Sequence, residues 1–449
     1  MDFVFTLVHR ARALLATLRA LGILLPVVAT LASPAMAGEA IHLRCGARVD
    51  AERAQLLGPA TLVVEAGKLR AIEPAEAALP AGAREIDLRQ HTCMPGLMDM
   101  HVHLSGEYSK RSYLERFILN PTDRAIRAVV NAKKTLDAGF TTVRDLGAGD
   151  GSVISVRNAI RRGRIPGPTI HAAEKSLATT GGHADPTNGM RRDLTGDPGP
   201  ARGVVNGEQD AAKAVRQRYK AGADWIKITA TGGVLSVAKS SQNPQFTEAE
   251  IRAIVSTAND YDLPVAAHAH GAEGMKRAIR AGVVSIEHGT LMDDEAIELF
   301  KTHGTWYVPT ILAGEFVAEK AKDPSYFPEA VRPKAAAIGP QIKATFRKAH
   351  ARGVKIAFGT DTGVSPHGEN AKEFALMVEA GMPPLEAIRS ATVSAAELLG
   401  IEATHGTLEV GKVADIVAAP GDPAADIRTL EHIDFVMKGG RVHRAPPGH

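Results

Sequence analysis

The stretch Met94-Pro95-Gly96-Leu97-Met98-Asp99-Met100-His101-Val102-His103-Leu104 decides how the rest of the chain is read. Pro95-Gly96 punctuates the sequence, and the apolar residues that follow suit a buried strand. Val102 separates two imidazoles, so an extended backbone turns both to one face. A short His-x-His is more often structural than functional. Ending an apolar strand, it starts a metal site only if partners recur at later strand ends.

Working outward, short apolar strands alternate with amphipathic helical stretches after Gly96. Eight candidate strands stand out: Gly96–His103, Phe140–Asp145, Thr169–Ala173, Trp225–Thr229, Pro264–His268, Val283–His288, Thr305–Pro309 and Val354–Asp361. The clearest intervening helix opens at Thr247-Glu248-Ala249-Glu250, a capping box ahead of Ile251, Ile254 and Val255. The alternation predicts an α/β fold, a (β/α)8 TIM barrel over residues 96–405, with functional residues where strands finish. The Gly-, Pro- and Asp-rich stretch His183–Asn206 follows the third strand. A loop of that length reads as a lid over the barrel mouth, the alternative being a surface insertion.

On either side the character is β. Runs at Ile41–Cys45, Ala60–Glu65, Lys68–Ile72 and Arg84–Leu88 precede the barrel. Gly406–Val417 supplies a turn and strand, and Phe435–Val442 a hairpin strand. Residues 38–95 and 406–449 are therefore paired into one small discontinuous β-sandwich domain.

The chain has 449 residues, 45% hydrophobic, enough for a large core. Residues 1–37 read as a signal peptide. Arg10, Arg12 and Arg19 precede the apolar run Ala20–Leu31, and Ala35-Met36-Ala37 is a small-x-small cleavage site. A membrane anchor is the alternative, but the run is short for a span. The expectation is export to the periplasm or medium, with no stable membrane span after cleavage. Losing three Arg and one Asp lowers the net charge from +3 to +1. With no basic cluster outside the signal, no nucleic-acid partner is expected. Cys45 and Cys93 are either joined or two buried thiols.

The strand ends carry the chemistry. The first ends in His101 and His103, the fourth holds Lys227, the fifth ends in His268, the sixth in His288 and the eighth in Asp361. Four histidines and an aspartate converging on one face are ligands for zinc or a similar divalent metal. Lys227 sits among Trp225, Ile226 and Ile228, where desolvation lowers its pKa. A neutral amine can take up carbon dioxide, and the resulting N6-carboxylysine bridges two cations; the alternative is a lysine snorkelling to solvent. Two metals about 3.5–4 Å apart share a hydroxide and polarise a carbonyl. Asp361 would bind one metal and serve as general base, then acid. His270, just beyond the fifth strand, is assigned to catalysis through substrate contact or polarisation, or else to orienting a ligand. His183 touches substrate or is merely solvated. Arg144-Asp145 is read as a structural ion pair near the site.

These motifs resemble the amidohydrolase superfamily, in its binuclear carboxylated-lysine branch. The Pro-Gly-Leu-Met-Asp-Met-His-Val-His opening and the closing Gly406-x-Leu408-x-x-Gly411-Lys412-x-Ala414-Asp415-Ile416-Val417 match the family's ends. Trp225-Ile226-Lys227-Ile228, Ala267-His268-Ala269-His270-Gly271, Ile286-Glu287-His288-Gly289 and Gly359-Thr360-Asp361 resemble its prolidase-like and carboxypeptidase-like members, ochratoxinase among them. The resemblance implies ligand roles for His101, His103, Lys227, His268, His288 and Asp361, and a non-ligand role for His270. It also implies two divalent ions, zinc first among them. The implied reaction is cleavage of the amide to a C-terminal amino acid, in N-acyl amino acids, dipeptides or ochratoxin A-type amides. A homo-oligomer is expected. The alternatives are hydrolysis of a cyclic amide or lactone, as in imidazolonepropionase-like enzymes, and a non-catalytic metal-binding barrel.

Overall fold

The computed structural model describes residues 40–238 and 240–447. The signal peptide proposed for residues 1–37 lies outside the described residues.

Strands β1 (Ile41–Asp50), β2 (Gln55–Leu57), β3 (Ala60–Glu65), β4 (Lys68–Pro74) and β5 (Arg84–Pro95) come first, and β13 (Ile416–Pro420), β14 (Phe435–Lys438) and β15 (Arg441–Arg444) come last. They share one eight-stranded sheet in the order β15-β14-β13-β5-β1-β3-β4, with β2 beside β1. The two terminal segments thus meet where β13 pairs antiparallel with β5. A sandwich of two sheets is the expectation this corrects. Here a single sheet curls so that its edge strand β4 meets the segment leading into β13: Leu69 N–H donates to Lys412 O at 3.0 Å and Ala414 N–H to Gly67 O at 2.9 Å. The curl lets one sheet enclose an apolar face of its own, including Leu43, Leu62, Leu88, Ile416 and Phe435. Gly440 permits it, since a Cβ there would lie 2.6 Å from Gly67 Cα. Cys45 on β1 and Cys93 on β5 form a disulfide with a Cα–Cα separation of 5.9 Å.

Between these segments run β6 (Leu97–Val102), β7 (Phe140–Asp145), β8 (Thr169–Ala172), β9 (Ile226–Thr229), β10 (Val265–Ala269), β11 (Ser285–His288) and β12 (Trp306–Val308). All their pairings are parallel, in a three-stranded run β6-β7-β8 and a four-stranded run β12-β11-β10-β9. Helices separate them, as parallel strands require. The helix Glu248–Asn259 shows why: Thr247 Oγ1 accepts from Glu250 N at 3.3 Å, and Glu250 Oε2 accepts from Thr247 N at 2.9 Å. Ile251, Ile254, Val255 and Ala258 then fall on one face and are buried.

The eighth expected strand, Val354–Asp361, is not a regular strand. It is an irregular segment hydrogen-bonded on both sides: Tyr307 N–H donates to Lys355 O at 2.8 Å, and Met100 N–H to Phe358 O at 2.9 Å. Gly359 lets it approach β12, since a Cβ there would lie 2.3 Å from Val308 Cγ1. Left-handed φ values at Asp361 (58°) and Gly363 (112°) end any regular extension. The stretch 183–206 is not structureless either; it holds the short helix Arg192–Thr195 and a turn of 3-10 helix at Pro200–Arg202.

Candidate metal centre

The C-terminal ends of β6, β9, β10 and β11 open into one cavity of about 590 Å3. Its lining includes His101, His103, Lys227, His268, His288 and Asp361, together with His183 and His270. Every residue read in the sequence as a metal ligand or substrate contact therefore reaches the same space, whereas Arg144 and Asp145 do not line it. Ring centroids lie 5.0 Å apart for His101–His288, 4.7 Å for His268–His288, 4.6 Å for His268–His270 and 4.4 Å for His183–His268. His183 is therefore stacked inside the site. Gly233 makes the room, since a Cβ there would fall 2.1 Å from the His183 ring.

The outward nitrogen of each strand-end imidazole is engaged. His101 Nδ1 donates to Glu287 Oε2 at 2.9 Å, His103 Nδ1 to Gly147 O at 3.1 Å and His268 Nε2 to Gly232 O at 3.0 Å. Those acceptors fix the proton on the named nitrogen and leave the other with its lone pair facing the cavity. Threonine hydroxyls hold the remaining two: Thr310 with His288 Nδ1 at 2.7 Å and Thr290 with His270 Nδ1 at 2.8 Å. Burial, with Lys227 beside it, pushes His101 down to about 4, and burial with His183 beside it takes His270 to about 3. His268 and His288 are likewise driven well down by burial. His103 moves the other way, because Asp361 beside it outweighs its burial.

Asp361 faces this array. Its Oδ1 lies 3.4 Å from His101 Nε2 and 3.2 Å from His103 Nε2. The oxygen is nonetheless buried without a hydrogen bond among the described residues. Donor atoms of His101, His288 and Asp361 all fall within 4.8 Å of one another. Buried nitrogen and carboxylate lone pairs that face each other without a shared proton fit a divalent cation. Burial would raise the Asp361 carboxyl, but His101, His103 and Lys227 hold it below the ordinary carboxylate value.

Lys227 alternates with the core residues Ile226 and Ile228 and so projects into the cavity with Thr229. Its ammonium has no hydrogen bond or ion pair among the described residues. Burial lowers its pKa to about 8, partly opposed by Glu287 and Asp361. The snorkelling alternative does not hold, because the side chain is buried.

Two structural details were not read from the sequence. Glu287, beside His288 on β11, orients His101 through its Oε2 while its Oε1 accepts from Arg144 Nη2 at 2.9 Å. Arg144 is thus paired with Glu287 and not with Asp145, because its side chain runs inward beneath the Trp225 ring at 4.5 Å. Asp145 instead accepts from Leu104 N at 2.7 Å and Gly147 N at 3.1 Å. Asp99 staples β6 to the irregular eighth segment, accepting from Thr360 Oγ1 at 2.6 Å and Asn370 Nδ2 at 2.8 Å. Nothing local identifies either: alternation from His288 would turn Glu287 to the opposite face, and the left-handed φ of His288 (71°) is what lets both face inward.

Residues 92–443 match the model of the Amidohydrolase family. Ochratoxinase from Aspergillus niger is 34% identical over 371 residues, covering 79% of this chain and 76% of that protein. Among solved structures, a Xaa-Pro dipeptidase with methionine bound in its active site is 53% identical, with a TM-score of 0.88 over 90% of this chain and 100% of that one. A prolidase complexed with N-methylphosphonate-L-proline is 32% identical, with a TM-score of 0.81 over 90% and 100% of the two chains.

Proposed function

The chain belongs to the amidohydrolase family, and we propose that it is a metal-dependent hydrolase cleaving the amide that joins an acyl group to a C-terminal amino acid. Its substrates are small molecules: dipeptides, X-Pro dipeptides included, N-acyl amino acids and ochratoxin-type amides. The observation that carries this reading is the cluster of inward-facing imidazoles around Asp361 and an unpaired, buried Lys227. Its likeness to an ochratoxinase and a Xaa-Pro dipeptidase supports the bond cleaved.

His101, His103, Lys227 as N6-carboxylysine, His268, His288 and Asp361 would hold two divalent ions, zinc by the softness of this nitrogen and carboxylate set. Bound there, such ions lower the pKa of water toward neutrality and polarise a carbonyl. Asp361, ionised at neutral pH, accepts a proton at a carboxylate oxygen as water adds to the amide carbon. It returns that proton to the departing nitrogen. His270, held by Thr290, and His183, stacked on His268, contact the substrate. Glu287 keeps the proton on His101 Nδ1.

The mature protein begins at Gly38, is exported to the periplasm or medium, and assembles as a homo-oligomer. Residues 38–95 and 406–449 form its β part, and residues 96–405 its hydrolase part. The Cys45–Cys93 disulfide supports an oxidising compartment. No helix among the described residues is long and apolar enough to cross a membrane.

The test is a panel of dipeptides, N-acyl amino acids and cyclic amides, read by release of product with and without chelation. Amino-acid release that chelator abolishes and zinc restores is the expected result. Turnover that survives full metal removal, or that is confined to cyclic amides, contradicts this assignment.

A further inference from the structure

Besides the strand-end histidines, the cavity lining carries a group of cations. Lys175, just beyond β8, lines it together with Arg116 and Arg202. Neither the Lys175 ammonium nor the Arg116 guanidinium has a hydrogen bond or ion pair among the described residues. The Arg202 guanidinium donates to the backbone carbonyl of Thr195, at 3.2 Å. The neighbouring acids are already engaged. Glu174 is paired with Arg218 at 3.1 Å. Asp185 accepts from Gly181 N and Thr187 N, each at 2.8 Å. Asp150 accepts from Ser152 N at 3.1 Å and lies 3.5 Å from Arg124.

A cation partly withdrawn from water, as half-buried Lys175 is, is costly unless an anion arrives to meet it, and the exposed Arg116 and Arg202 add positive charge beside it. Burial, together with the repulsion of Arg218, Arg202 and Arg116, holds the Lys175 ammonium below its ordinary value in spite of Glu174. Two glycines place the lysine near the metal end. A Cβ on Gly147 would lie 3.0 Å from the His103 ring and 3.0 Å from Ser176 Oγ, so His103 and the residue after Lys175 flank one glycine. A Cβ on Gly149 would lie 3.4 Å from Lys175 Nζ, so that side chain lies along the same turn. The same lining includes apolar side chains, Leu119, Met190, Val234 and Ile342 among them.

We propose that Lys175, with Arg116 and Arg202 at the rim, is the subsite that takes the free carboxylate of the substrate's C-terminal amino acid. The assignment rests on the hydrolase reading for the identity of the ligand, and it makes a free carboxylate the discriminating feature of the substrate. An apolar amino acid fits the walls, with its acyl-bearing nitrogen toward Asp361 and its carboxylate toward Lys175.

Calorimetric binding of L-leucine and L-leucinamide to the metal-loaded protein tests this without turnover. The two probes differ only in the carboxylate. Lys175→Met should weaken leucine binding at least tenfold and leave leucinamide, already weak, unchanged; Lys175→Arg should recover part of the loss. Arg116→Gln with Arg202→Gln, both at exposed positions, should weaken leucine at least threefold even if the Lys175 variant proves unstable. Leucine binding indifferent to all these changes overturns the subsite. If leucine binding follows Lys175 but no dipeptide is cleaved, the hydrolase reading falls and the anion subsite stands. If dipeptides are cleaved and Lys175→Met cleaves carboxylate and carboxamide substrates in the wild-type ratio, the subsite falls and the hydrolase stands.

Discussion

Glu287 ties the ligand array to the core through its two carboxylate oxygens, one on His101 and one on Arg144. Burial alone would raise its pKa, but Arg144 and the His101 hydrogen bond bring it down to about 2, so it is ionised at any working pH. Glu287→Gln removes the charge both partners rely on. Loss of such an outer partner costs about 10–100-fold in metal affinity or activity. Metal competition against a chromogenic chelator measures it, and unchanged affinity would remove Glu287 from the account. The metal-ligand candidates were legible in the sequence because each carries distinctive chemistry in an apolar run, at its end or, for Lys227, within it. Glu287 was not, because its partner His101 is 186 residues away and only the fold brings them together. His183 was legible only as a loop histidine; its place in the site depends on the missing side chain of Gly233.

At the scale of elements, the helix Ile311–Lys320 begins at the cavity and has no side-chain cap of its own. Glu373, from the helix Lys372–Glu379, supplies one: it accepts from Ile311 N at 2.8 Å and Leu312 N at 2.6 Å. Burial outweighs both bonds and raises its pKa to about 8. A carboxyl raised in the folded state binds its proton more tightly there than in the unfolded chain. Its contribution is complete below the ordinary carboxyl value of 4.5 and is lost as pH rises through about 8. Wild-type thermal stability should therefore fall between about pH 4.5 and pH 8 relative to Glu373→Gln, which cannot titrate; parallel profiles would refute this. Such a cap is invisible in sequence, because the helix start and its acceptor lie 61 or 62 residues apart. The helix Glu248–Asn259 was legible since its capping box is local. The eighth strand was legible in position but not in regularity, because a run of apolar residues does not report the φ of Asp361.

For the whole molecule, the terminal segments share one sheet whose form was not legible in the sequence. β character is local, whereas curling depends on which distant segments meet, here Leu69 of β4 against Lys412 ahead of β13. The disulfide between β1 and β5 spans 48 residues of chain. Replacing both cysteines with alanine should cost about 2–4 kcal/mol of stability, chiefly by freeing the unfolded chain. Denaturant titration of the double variant checks this, and an unchanged midpoint would show the link to be energetically silent. The hydrolase assignment itself depends on Lys227 gathering metal with the histidines and Asp361. Elemental analysis of the wild-type protein and Lys227→Ala, run beside an amino-acid release assay, tests that most directly. The predicted result is two divalent ions per wild-type chain, with metal and turnover both lost in the variant and partly restored by short carboxylates. A Lys227→Ala protein that keeps two ions and full turnover would contradict it.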